Sequence, residues 1–366
     1  MSKKKVGILF GGKSSEHEVS LQSAKNIVDA IDKEKYEVVL IGIDKEGGWH
    51  VNDQSHYLLH AEDPKLISLN KTNEGVAVVP GSSNNQMLNL STTTSLGQLD
   101  AVFPILHGTL GEDGSIQGMF RLANIPYVGA NVLGSAMCMD KDITKRLLRD
   151  AGIGVANWFS YKKHQKDQIQ FEDMKENLGL PFFVKPANQG SSVGVSKVRN
   201  EAEFTKAIEE AFLYDYKVII EEGVVGREIE CSVLGNENPK ASVPGEILSS
   251  TDFYSYETKY IDESGASLEI PASLDQETED RVRQIAIEAF QVLECEGLSR
   301  VDVFLKDNGE IIVNEINTLP GFTKISMYPK LWEASGISYP ALIDELIELA
   351  IQRHERDASL KNTREE

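Results

Sequence analysis

Cysteine is scarce in this chain of 366 residues: Cys138, Cys231 and Cys295 are the whole set, odd in number and widely spaced. That excludes a disulfide framework and a cysteine zinc site, and it fits buried thiols in a reducing compartment. Long apolar runs are missing as well. The start, MSKKKVGILFGG, is basic and then apolar, but the apolar stretch is too short for a secretory signal and ends at Gly11-Gly12. No segment approaches the ~20 apolar residues of a membrane span. A cytoplasmic protein with no membrane partner is therefore expected. Positive charge is in deficit, with 37 Lys and Arg against 57 Asp and Glu, for a formal net charge of −20. Binding a phosphate backbone needs basic patches, so no nucleic-acid partner is expected. GxGxxG is absent, which sets aside a dinucleotide-binding turn despite Gly7 and Gly11-Gly12. There are no internal repeats. What remains, 41% hydrophobic and 26% charged, is the composition of a globular protein long enough for two or three subdomains.

Residues 6–10 read as a buried strand ending at Gly11-Gly12. Ser14-Ser15-Glu16 then signals a helix start, and Val19, Ala24, Ile27, Val28 and Ile31 keep helical spacing. Residues 37–43 return to strand. Such a βαβ opening predicts a parallel sheet covered by helices. The polar stretch 52–98 predicts loops with short strands. Residues 101–106 form another strand ending at His107-Gly108, a place where functional residues of α/β sheets gather. Further on, helices are expected over 114–123, 140–150, 201–212 and 276–293, and strands over 182–185, 195–198, 217–221 and 228–234. Pro340 opens a last amphipathic helix with Leu342, Ile343, Leu346, Ile347 and Ala350 on one face. The expected class is α/β, with α+β character in the C-terminal half, divided at 1–129, 130–224 and 225–366.

The segment 300–321, RVDVFLKDNGEIIVNEINTLPG, reads as a β-hairpin. Asn308-Gly309 favours a two-residue type I′ turn. That turn would pair Val301 with Ile316, Phe304 with Val313 and Leu305 with Ile312. It would also set Asp302 opposite Glu315 and Arg300 opposite Asn317, all four on one face. Two facing carboxylates repel unless something positive lies between them. A hard divalent cation with oxygen ligands, Mg²⁺ on nucleotide phosphates, is the economical answer; the alternative is a surface hairpin with its acids in water. A three-residue turn would shift the register and break the set.

Residues 189–194, QGSSVG, form a Gly-Ser loop between two strands, with Lys185 just upstream. Glycines allow close backbone approach to phosphate, and the serines add donors. No Gly-Lys-Ser/Thr carries this loop into a helix, so it is a hairpin flap and not a Walker loop. Glu221 and Glu228 bracket a strand end and a loop. On chemistry alone they are either solvated glutamates or acceptors for an adenine amine and ribose hydroxyls.

Taken in order, GGKSSEHEVSL, LHGTLGEDGSIQG, KPANQGSSVGVSKV, FYSYETKY, RVDVF and NEINTLPGF resemble the D-alanine–D-alanine ligases of the ATP-grasp superfamily. The resemblance runs from about Lys5 to the last helix and is loose only in the middle polar stretch. It implies an ATP-grasp fold behind a Rossmann-like N-terminal parallel-sheet domain, and a homodimer. It implies ATP-dependent joining of two D-alanine molecules through D-alanyl phosphate, releasing ADP and phosphate, for peptidoglycan precursor synthesis. By the same resemblance Asp302, Glu315 and Asn317 hold two Mg²⁺ ions, with Mn²⁺ able to replace them. Lys141, Lys185 and Lys259 contact ATP phosphates, Glu221 and Glu228 contact adenine and ribose, and Ser192 and Val224 complete the nucleotide site. Glu16, Ser191 and Tyr260 form a hydrogen-bonded trio near the amino-acid substrates, with the loop 254–260 closing over them. Arg300 and the backbone N–H of Gly321 stabilise the tetrahedral intermediate, Ser326 contacts the second substrate's carboxylate, and His107 belongs to the substrate side. Two other readings stand beside this one: a ligase that accepts D-lactate, and a nucleotide-binding protein without catalysis. Lys259-Tyr260 follows the dipeptide form of the motif.

Overall fold

The computed structural model describes residues 2–72, 74–82, 84–249 and 266–361. The first strand, Lys4–Gly11, is buried over its last six residues, as a strand covered on both faces must be. It runs parallel to Tyr36–Ile43 on one side and to Ala101–Ile105 on the other, while Trp49–Asn52 adds an antiparallel edge. Val6, Ile8 and Phe10 pack beneath Leu21, Ala24 and Ile27 of the helix His17–Ala30. Leu9 faces the opposite way, toward Ile116 and Phe120 of the helix Ser115–Leu122. The parallel, doubly covered sheet expected from the βαβ opening is present. The polar stretch between residues 52 and 98 yields only short strands that pair among themselves, such as Val76–Val78 with Met87–Asn89.

A second sheet is wholly antiparallel, in the order Trp158–Lys162, Lys217–Glu222, Phe182–Pro186, Ser196–Val198. The helix Glu201–Tyr214 lays Phe204, Ala207, Ile208 and Ala211 on it, and its start is capped by Asn200, which accepts from Glu203 N–H at 3.0 Å. The strand Trp158–Lys162 and the helices Val132–Met139, Phe171–Leu178 and Met327–Ala334 were not expected. Trp158–Lys162 lacks the alternation that marks a strand, because four of its five residues are half-buried alike.

The third sheet runs Ala266–Glu269, Gly245–Ser249, Arg227–Gly235, Gly297–Leu305, Ile311–Asn317. The helix Gln276–Val292 covers it through Val282, Ala286, Ala289 and Phe290. The last helix, Tyr339–Ala358, places Leu342, Ile343, Leu346, Ile347 and Ala350 not here but in the core of the first sheet.

The hairpin corrects one expectation and keeps its consequence. Lys306 N–H donates to Glu310 O at 2.9 Å and Gly309 N–H to Lys306 O at 2.8 Å, so the loop holds three residues, with Gly309 left-handed at φ 80°. Asn308 and Gly309 thus close a type I turn with an αL residue, not the two-residue type I′ form. The pairs next to it are Leu305 with Ile311, Phe304 with Ile312 and Val303 with Val313, one residue off the expected partners. A bulge between Val303 and Asp302 then takes up Asn314, and the pairs Asp302–Glu315, Val301–Ile316 and Arg300–Asn317 form as expected. Turn and bulge each shift the register by one, and the shifts cancel.

Candidate active site

Between the second and third sheets lies a cavity of about 280 Å³. Lys141, Lys185, Ser191, Ser192, Glu221, Val224, Glu228, Asp302 and Glu315 all line it. Nine residues singled out from sequence therefore converge on one space, drawn from both sheets, a helix start and two loops. Asn314, the bulged residue, lines it too.

On the hairpin, Arg300 grips Asp302 through two parallel hydrogen bonds of 2.7 Å and lies 2.9 Å from Glu230. Asn317 Nδ2 donates to Asp302 Oδ2 at 3.0 Å, and Lys141 Nζ is 3.9 Å from Glu315. Among the described residues no group of three His, Cys, Asp or Glu side chains could hold a metal unaided. Asp302, Glu315 and Asn317 nevertheless offer an all-oxygen donor set on paired strands. That suits a hard divalent cation whose other positions are filled by phosphate oxygens and water.

Lys141 opens the helix Lys141–Asp150, capped by Asp140, which accepts from Asp142 and Ile143 N–H at 3.1 and 3.2 Å. Its Nζ donates to Gln189 O at 2.6 Å, tying the helix start to the Gly-Ser loop. Burial, together with repulsion from Lys185, holds its pKa below the ordinary lysine value. Glu221 is almost fully buried between Lys185 and Lys145, each 2.6 Å away. Burial alone would push this carboxyl up, but the two ammonium groups outweigh it and hold it down at about 2. Lys145 was not singled out from sequence. Its one signal is the four-residue spacing from Lys141, which puts both lysines on one helix face.

The Gly-Ser loop is a tight flap, with Val193 N–H on Gly190 O at 3.1 Å and Ser191 and Ser192 both left-handed, at φ 49° and 61°. It rests against the first sheet's helix start: a Cβ on Gly190 would come within 3.0 Å of Glu16 Oε2. Ser191 Oγ donates to Glu16, which is buried. Two members of the expected trio are thus in contact. The third, Tyr260, lies outside the described residues, as do Lys259 and the rest of 254–260.

The turn after the hairpin holds the remaining candidates. Ser326 Oγ accepts from Thr323 N–H at 2.9 Å and stands where a Cβ on Gly321 would meet it at 2.7 Å. His107 is buried, with Nδ1 on Leu319 O at 2.8 Å and Nε2 on Ser23 Oγ at 3.3 Å. A carbonyl acceptor requires the proton on Nδ1, and burial keeps the ring pKa below its ordinary value. Glu112, not singled out from sequence, accepts from Gly108 N–H at 2.7 Å and from Leu319 N–H at 3.0 Å. Burial and the nearby Glu16 push its carboxyl up to about 8. Its only signal was a carboxylate set among glycines in LHGTLGEDG.

Two family models match the chain: "D-ala D-ala ligase N-terminus" over residues 5–130 and "D-ala D-ala ligase C-terminus" over residues 147–348. The chain is 67% identical over 362 residues to the D-alanine–D-alanine ligase of Oceanobacillus iheyensis, covering 99% of each. It is 58% identical to D-alanine–D-alanine ligase A of Escherichia coli strain K12, covering 99% of this chain and 100% of the other. Among solved structures, the D-alanine–D-alanine ligase of Coxiella burnetii superposes with a TM-score of 0.83 at 40% identity over 97% of both chains. The Bacillus anthracis D-alanine–D-alanine ligase complexed with ATP superposes at 0.74 and 30% identity, over 98% of this chain and 100% of that one. A cavity ringed by lysines, paired acids and a Gly-Ser flap, in a chain matched nearly end to end, thus leads to one conclusion: this chain belongs to the D-alanine–D-alanine ligase family.

Proposed function

We propose that this protein is an ADP-forming carbon–nitrogen ligase that joins two D-alanine molecules to D-alanyl-D-alanine for peptidoglycan synthesis. In this reading it works in the cytoplasm as a homodimer, and Mg²⁺, replaceable by Mn²⁺, accompanies ATP. The observation that carries the reading is the Ser191–Glu16 hydrogen bond. It joins a flap that lines the phosphate-type cavity to a buried carboxylate of the first sheet's side. Phosphate chemistry and an amino-acid pocket therefore meet at one point. Units at 1–129, 130–224 and 225–366 fit this division of labour, with ATP between the last two and D-alanine at the first.

A carboxylate is a poor acyl electrophile and needs a leaving group before an amine can displace it. In the first step, a D-alanine carboxylate oxygen attacks the γ-phosphorus, giving D-alanyl phosphate and ADP. Lys141, Lys185 and Lys259 balance phosphate charge and fix its position, which is most of what phosphoryl transfer requires. Asp302, Glu315 and Asn317 would hold the metal, which when bound neutralises charge on the phosphate oxygens. Glu221 and Glu228, with Val224 and Ser192, take the nucleoside and the flap side of ATP.

In the second step the amine of another D-alanine, placed through its carboxylate by Ser326, attacks the acyl carbon, and phosphate leaves. Arg300 and the Gly321 N–H stabilise the oxyanion, at roughly 3–4 kcal/mol per donor in comparable sites. The attacking ammonium must first lose a proton, and Tyr260, Ser191 and Glu16 provide a relay for it. The test is phosphate release with ATP and Mg²⁺ against D-alanine, D-serine and D-lactate, with products identified by mass. D-Alanyl-D-alanine as the main product is expected. ATP binding without D-alanine-dependent phosphate release, or faster turnover with D-lactate, overturns the proposal.

A further inference from the structure

We propose that Glu112 and His107 are positioning residues that hold Leu319 through its N–H and its C=O and thereby set the Gly321 N–H against the reacting carbonyl. This rests on the reading of that N–H as an oxyanion donor. The segment from Thr318 to Ser326 belongs to no helix or strand, so ladder bonds do not fix its path. Side chains fix it instead. Leu319 N–H goes to Glu112 at 3.0 Å, and Leu319 O accepts from His107 Nδ1 at 2.8 Å. Phe322 N–H goes to Ser23 Oγ at 3.2 Å, and the same Ser23 hydroxyl faces His107 Nε2 at 3.3 Å.

Between these two anchored peptides stand Pro320, which has no N–H, and Gly321. The Gly321 N–H meets no acceptor among the described residues, although the N–H groups of Leu319, Phe322 and Thr323 around it are all taken. A donor kept open in an otherwise satisfied turn is what oxyanion stabilisation requires.

Glutamate suits the task because both of its oxygens are used, on Gly108 and Leu319. Ionised or protonated, a carboxyl can accept at both oxygens, whereas the NH₂ of glutamine matches the shape but cannot accept, so one of those two N–H groups would face a donor. The placing side chains all come from the first sheet's side of the molecule, whereas the turn they place follows the hairpin. The oxyanion donor is therefore located by the same unit that would bind the first amino acid.

The test separates the two half-reactions in Glu112→Gln, His107→Ala and His107→Asn, the last of which keeps a donor near the Nδ1 position. The first is read as single-turnover ADP formation, with acyl phosphate trapped by hydroxylamine as the hydroxamate while phosphate leaves. The second is read as dipeptide formation. Glu112→Gln and His107→Ala are expected to slow dipeptide formation roughly 10–100-fold more than they slow ADP formation, since a misplaced catalytic group costs on that order. His107→Asn should recover most of the loss. Equal slowing of both half-reactions, no slowing of either, or no advantage of His107→Asn over His107→Ala overturns the inference. Should Glu112→Gln fail to fold, the two His107 variants decide the matter through the same pair of measurements. Wild-type protein that forms no dipeptide from D-alanine would instead defeat the underlying reading of the site.

Discussion

Glu221→Gln isolates the electrostatics of the cavity floor. The wild-type carboxylate neutralises Lys145 and Lys185, both 2.6 Å away, and Lys145 is almost without solvent contact. The amide keeps the shape and removes the charge, leaving Lys145 buried beside a second cation. Removing one partner of a buried pair costs about 3–5 kcal/mol. The depressed pKa of the carboxyl, set by the same two ammonium groups, points the same way. A carboxyl held at about 2 instead of its ordinary 4.5 contributes about 3 kcal/mol of stability. Because the folded pKa is depressed, that contribution is full above about pH 4.5 and is lost as the pH falls toward 2. Urea unfolding at pH 7 should show the variant's midpoint lowered at unchanged slope. Between pH 4.5 and pH 2.5, wild type should lose more stability than the variant. A companion Lys145→Met on the Gln background should recover part of the loss, since an apolar replacement leaves no stranded charge. A Glu221→Gln cost below about 1 kcal/mol, or equal acid sensitivity of the two proteins, refutes the argument that this carboxylate works as a buried counter-ion.

Gly321→Ala places a Cβ 2.7 Å from Ser326 Oγ, so dipeptide synthesis should fall at least ~100-fold with ATP affinity little changed, read by steady-state kinetics and nucleotide titration. Asp302→Asn removes one negative oxygen from the proposed metal set, and half-maximal activity should then need roughly tenfold more Mg²⁺, checked by metal titration at saturating ATP. Ser191→Ala cuts the link between flap and Glu16, and the KM for D-alanine should rise several-fold more than the KM for ATP. Truncation before Tyr339 strips Leu342, Ile343, Leu346 and Ile347 from the first sheet's core at about 1.5–3 kcal/mol each, so circular dichroism should show no cooperative unfolding.

Local patterns in the sequence identify the parallel sheet, the flap and the metal-type hairpin because each is set by neighbours in the chain. Val6, Ile8 and Phe10 announce a buried strand, and two glycines with two serines between strands announce a tight flap. The hairpin shows where local reading stops. Asn308-Gly309 identifies a turn but not its length, because both candidate turns use an αL glycine. The bulge at Asn314, which with Glu315 lines the cavity, is set by pairing within the sheet and not by neighbours in the chain. Lys145 and Glu112 escaped for a related reason. A buried lysine on a charged helix and a carboxylate among glycines look solvated until the residues that enclose them, distant in sequence, are in place. The edge strand Trp158–Lys162 carries no clean period because it is neither fully inside nor fully outside.

The last helix has a consequence for how the molecule comes into being. Its apolar stripe packs on the strand Ala101–Ile105 and against the helix His17–Ala30, and Lys35 and Tyr36 bind its Asp344 at 2.9 and 2.5 Å. During synthesis from the N-terminus, that part of the core stays incomplete until more than two hundred further residues have left the ribosome. This unit, built largely from early segments, is therefore among the last to be completed.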